Sequence, residues 1–174
     1  MRQKYLGIIA VLAVILPLTA GFCQEDKKIF NRGVDYVAEG DINAAFMTFH
    51  TLVSSYPGSS YTEQAMFAMG EYYYGVGDYR DATNAFWGLL NQFPDSDSKV
   101  FCLAYLLEMA RKEKKPTVQS FEQALSDSQR LIFLFKDSKE LKYGSIFSKA
   151  YKAVYHIDKL EIFVDDTLFT SVAY

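Results

Sequence analysis

The chain has 174 residues, half of them hydrophobic and 22% charged, with a formal net charge of −3. That is too apolar for a disordered segment and long enough for one domain with its own core. A mildly acidic balance without a basic stripe argues against nucleic acid as a partner.

In chain order, the first 23 residues differ in kind from the rest. Arg2 and Lys4 precede an uncharged apolar run from Tyr5 to Cys23, with small residues at Thr19, Ala20 and Gly21. This is the pattern of a secretory signal peptide over residues 1–23, and the run from Leu6 to Leu18, interrupted by Pro17, is short for a membrane span. Leu18-Thr19-Ala20-Gly21-Phe22-Cys23 is similar to a bacterial lipobox, in which the cysteine becomes the acylated first residue. Phe22 stands where a lipobox carries a small residue, so a second reading stays open. Ordinary signal peptidase would cut after Gly21 or after Cys23, and a free N-terminal residue is the expected product. Without Arg2 and Lys4 the mature chain carries 16 basic against 21 acidic residues, a net charge of −5. The other cysteine, Cys102, lies in the apolar stretch Val100-Phe101-Cys102-Leu103-Ala104 and reads as a buried structural thiol. The fold is not expected to depend on a disulfide.

Next come antiparallel helix pairs, predicted over 26–39 with 42–55 and over 61–76 with 79–92. They are copies of one another. Gly33, Tyr36, Gly40-Asp41, Ala45, Phe49, Leu52, Pro57 and Ser59 return as Gly70, Tyr73, Gly77-Asp78, Ala82, Phe86, Leu89, Pro94 and Ser96, so nine of 27 positions are identical at a shift of 37. A repeat of this period signals stacked supersecondary units and favours binding over catalysis. Gly40 and Gly77 suit the left-handed residue that ends a helix, and Asp41 and Asp78 can cap the next one. Ala45 and Ala82 leave room for a close helix crossing, and Phe49 and Phe86 are expected to fill the space between one hairpin and the next. Pro57 and Pro94 stop the second helix of each pair.

A third, degenerate pair is predicted at about 98–114 and from about Ser120 to Phe135, with Pro116 between them. A seventh helix is predicted over 139–160, where Tyr143, Phe147, Ala150, Tyr151, Val154 and Ile157 share a helical face and would cap the array. In the remainder, residues 161–174, Ile162, Val164, Leu168, Phe169 and Val172 fit either a short strand or a further helical turn. The expected fold class is therefore all-α: a helix-hairpin solenoid of about three repeats, residues 24–160, with a C-terminal capping helix.

Gly-x2-Tyr, then Ala-x3-Phe, then Pro, at matching offsets in both copies, resembles the tetratricopeptide signature. Joined to the Tyr-Pro-x-Ser-x-Tyr linker and Gly-Asp-Tyr-x-x-Ala, it is similar to the bacterial envelope subset of that family, the BamD and YbgF (CpoB) type. The resemblance implies a concave groove lined by Phe30, Val34 and Val37 from the first helix and by Gln64, Phe67, Glu71 and Tyr74 from the third. It further implies a protein or peptide partner in the periplasm, and outer-membrane assembly or envelope maintenance as the setting. Peripheral membrane association would follow if Cys23 is acylated. A lipid-anchored subunit of a secretion or cell-wall complex, and a regulatory subunit bound to an enzyme, are the other readings.

Nothing in the sequence points to catalysis or to a cofactor. His50 and His156 stand alone, without metal-ligand spacing. Asp165-Asp166 reads as a turn. Asp95-x-Asp97 lacks the later glycine and glutamate of a calcium loop. There is no phosphate-binding loop or nucleophile elbow.

Overall fold

The computed structural model of the chain describes residues 25–135 and 140–174. The predicted signal segment and Cys23 lie outside these residues. Contacts divide the chain into two compact units, residues 1–62 and 63–174, each considered by itself.

The described part of the first unit is one helical hairpin, α1 (25–39) and α2 (Ile42–Ser55). Gly40, at a φ of +80°, ends α1 in the left-handed conformation. Asp41 then caps α2, its Oδ1 accepting the Ala44 N–H at 2.9 Å. Ala45, Phe49 and Leu52 form the buried stripe of α2. The Phe49 ring lies on Gly33 of its own hairpin, where an added Cβ would come within 2.4 Å of the ring. Phe30 stacks on Tyr61 at 4.5 Å and approaches Phe49 at 6.1 Å.

The second unit begins with the same device. Helices α3 (Thr62–Gly75) and α4 (Tyr79–Gln92) are joined through Gly77, at a φ of +81°. Asp78 caps α4 at Asp81 N, 3.1 Å away. A Cβ on Gly70 would fall 2.5 Å from the Phe86 ring. Phe86 also reaches onward, stacking on Tyr105 at 4.8 Å with the rings 11° apart.

Helices α5 (Lys99–Lys112) and α6 (Val118–Phe135) match the predicted third pair. Ten of the fourteen residues of α5 are buried, on every side of the helix. A helix apolar all round must be covered all round. Helices α4 and α6 flank it, and β2 packs on it too.

That strand belongs to a sheet the sequence did not lead us to expect. Residues predicted as a capping helix, and a tail that fitted either a short strand or a helical turn, form β1 (Glu140–Gly144), β2 (Ala150–Tyr155), β3 (Lys159–Val164) and β4 (Thr167–Ala173), an antiparallel meander in the order β1-β2-β3-β4. The fold is therefore not all-α. Among the described residues there are six helices and four strands, and a sheet stands where the seventh helix was expected.

The apolar spacing of Tyr143, Phe147, Tyr151 and Val154 imitates a helix because a five-residue connection, 145–149, separates two strands of period 2. Along β2 the burial alternates, with Tyr151, Ala153 and Tyr155 inward and Lys152 and Val154 outward. The register continues with Leu160 and Ile162 of β3 and Val172 of β4 on the inner face. Asp165 and Asp166, both at positive φ (49° and 59°), make the two-residue turn between β3 and β4. They are a turn, as read from the sequence. None of the described helices is long and apolar enough to cross a membrane.

Candidate functional site: a buried carboxylate under the sheet

The face of α3 that carries Phe67, Glu71 and Tyr74 follows from spacings of four and three residues, which bring side chains to one side of a helix. In the structure that face is covered by the chain itself. Phe67 is 1% exposed and meets Tyr143 at 5.0 Å and Tyr151 at 5.4 Å, both rings edge-on. Tyr74 is half-buried between Tyr105 (4.8 Å) and Phe169 (6.1 Å), and Lys112 sits above its ring at 4.7 Å.

Glu71, between them along the helix, is 2% exposed. Its Oε1 accepts two hydrogen bonds from the sheet side, from Tyr151 Oη at 2.6 Å and Ser145 Oγ at 3.2 Å, and forms an ion pair with Lys149 Nζ at 3.4 Å. Its Oε2 is buried with no partner. Tyr151 has one hydroxyl proton and gives it to Glu71, so Tyr105, 2.7 Å away, donates to Tyr151 in turn. The result is a relay from α5 through β2 to α3.

Burial raises the Glu71 carboxyl above its ordinary 4.5, and the hydrogen bond from Tyr151 and the charge of Lys149 pull the other way without cancelling it. Burial likewise raises the Tyr105 and Tyr151 phenols, with the neighbouring Glu71 adding to the effect, so both stay protonated donors. The arrangement fastens a sheet to a helix. The nearby Cys102 thiol is buried and pushed up to about 12, which keeps it protonated.

Phe30 and Val37 of α1 are half-buried, Val34 is 37% exposed, and Gln64 on α3 is exposed. Sequence reasoning missed Tyr105, Ser145, Lys149 and Tyr151. They come from three segments whose meeting depends on the sheet. The one available signal was an acid in an aromatic stretch, Glu71 before Tyr72-Tyr73-Tyr74, which needs partners if it is to be buried. His50 is exposed, and His156 closes β2 with its Nε2 2.8 Å from Glu161.

On the β1–β2 hairpin an open cavity of about 580 Å³ is lined by residues that include Lys142, Ser145, Lys149, Tyr151, Lys152 and the acid Asp166. Ser145, Lys149 and Tyr151 are also the partners of Glu71.

No curated protein matches the chain. A family profile does: YfiO, described as outer membrane lipoprotein, over residues 23–143. The match takes in every described helix and ends within β1, so β2, β3 and β4 lie outside it. Two helical hairpins with the same caps and the same glycine–phenylalanine contact agree with that assignment, and on a match to well over half its length the chain belongs to the YfiO outer membrane lipoprotein family.

Proposed function

We propose that this protein is an exported, non-enzymatic adaptor, anchored at the outer membrane through an acylated Cys23, that holds a protein partner of the cell envelope. Membership of an outer membrane lipoprotein family, carried by helical-repeat hairpins, is the observation behind this reading. It favours acylation over the free N-terminus expected from the sequence, and Phe22 is the feature against it. Mass spectrometry of the mature protein tests the anchor. A diacylated or triacylated Cys23 is expected, and a free Phe22 or Gln24 overturns it.

The partner surface we assign to α1, where Phe30, Val34 and Val37 share one face at spacings of four and three. Phe67, Glu71 and Tyr74 act inside the second unit instead, since the sheet already occupies their face. A TPR-type surface binds through apolar anchors on a helix face. Val34→Glu should therefore reduce the yield of a partner cross-linked and co-purified from native envelopes while leaving the melting temperature unchanged. An unchanged yield would move the partner surface away from α1.

A further inference from the structure

We infer that the cavity on the β1–β2 hairpin is a second docking site, built to take an acidic segment of a polypeptide partner. The inference rests on the adaptor reading and adds the chemistry of what is held.

Three lysines, Lys142, Lys149 and Lys152, line the cavity against one acid, Asp166. Lys142 and Lys152 are directly opposed across the β1–β2 ladder. Like charges in that position destabilise an antiparallel pair unless negative charge lies close by. The chain supplies little. Glu140 is 3.7 Å from Lys142, and the carboxylate of Asp166, 94% exposed, is 3.4 Å from Lys152. Pairs as exposed as these contribute little. Lys149 faces Glu71, whose carboxyl is fully out of water and biased by burial toward its neutral form.

The chain as a whole is acidic, at −3, so this cationic hollow is a local reversal of sign. A concave site with an excess of one sign concentrates and orients an oppositely charged partner. Gly144, Ser148 and Ala150 complete the lining around the lysines. This combination suits carboxylate side chains spaced along an extended strand. A concave pocket favours side chains that can enter it over the flat anionic surface of a bilayer.

The test uses the full mature chain and a fluorescein-labelled decapeptide of alternating glutamate and leucine, with its glutamine–leucine counterpart as control. Fluorescence anisotropy at low salt should show saturable binding of the glutamate peptide, weakened by added salt and about tenfold weaker for the glutamine peptide. K142E/K152E should lose that binding by a similar factor with an unchanged melting temperature. The milder K142Q/K152Q serves if charge reversal disturbs the hairpin. Equal binding of both peptides, or undiminished binding by either folded variant, overturns the proposal. So does sedimentation of the non-acylated chain with phosphatidylglycerol vesicles that is lost in K142Q/K152Q while neither peptide binds, because the cavity would then serve a lipid surface. If these variants still capture the cross-linked envelope partner in full yield and the peptide does not bind, the adaptor reading stands and the acidic docking site fails. If the peptide binds and no envelope partner is captured by any form, the adaptor reading fails instead.

Discussion

Gly33 and Gly70 are held in the repeat by the ring that lies on each of them. An added methyl would come within 2.4 Å of Phe49 in one copy and 2.5 Å of Phe86 in the other. Both rings are fully buried, so neither can swing aside freely. Gly70→Ala should destabilise by about 1–3 kcal/mol, the usual range for overpacking, and chemical denaturation reads it directly. A neutral result would show that the Phe86 ring can relocate.

Glu71 makes a prediction with a sign. Its folded-state value lies above the ordinary 4.5, so the fold binds a proton more tightly than the unfolded chain does. The stabilisation from this group is complete below pH 4.5 and is lost as pH rises through the folded value. Glu71→Gln, which keeps an acceptor for Tyr151 and cannot ionise, should remove that part of the pH dependence. Denaturant midpoints for the two proteins should therefore diverge, in favour of the variant, as pH rises from 4.5 to neutrality. Parallel curves would mean that Lys149 and Tyr151 compensate the buried charge in full.

At the scale of elements, the turn between β3 and β4 places two aspartates in the left-handed region. Asp165 has a reason to stay, because its Oδ1 accepts the Ala150 N–H at 2.9 Å. Asp166 makes only the exposed contact to Lys152. Two-residue hairpin turns favour glycine at their second position. Asp166→Gly should therefore raise stability by roughly 1 kcal/mol, the lower end of the strain of a left-handed non-glycine residue, seen as an increase in melting temperature.

The helices were legible in the sequence because each hairpin carries its own punctuation. Gly40-Asp41 and Gly77-Asp78 end one helix and cap the next within two residues, using local geometry alone. The sheet was not legible, because period 2 interrupted by a five-residue connection gives Tyr143, Phe147, Tyr151 and Val154 the intervals of a helix. What separates the two readings is pairing between strands, such as Tyr151 with Tyr143 on one side and Val164 on the other, and pairing is not local. The same limit hid the fate of Phe67 and Glu71. Their common helix face was readable, but what covers it depended on that sheet.

Across the second unit, one core joins helices to sheet. Phe67, Phe101, Tyr105, Leu107, Tyr151, Tyr155, Leu160 and Ile162 belong to a single buried cluster. Elements sharing a core open together, so amide exchange at Leu103, Leu107, Ala153 and Ile162 should report one common opening free energy. Much faster exchange in the strands would show the sheet to be a separable cover. Deleting residues 145–174 should uncover Phe67, Phe101 and Tyr105, and the shortened protein should bind a hydrophobic dye or precipitate. A shortened chain that stays soluble, dye-negative and cooperatively folded would contradict this.

The all-round burial of α5 also bears on the order in which the chain arrives. A polypeptide delivered N-terminus first presents α5 together with its helical neighbours, but the sheet that closes its remaining side is still missing. Tyr105 must wait for Tyr151, 46 positions downstream, before its hydroxyl finds its partner. For that interval the nascent protein displays a greasy flank it will later conceal, a surface open to aggregation until the last strands arrive.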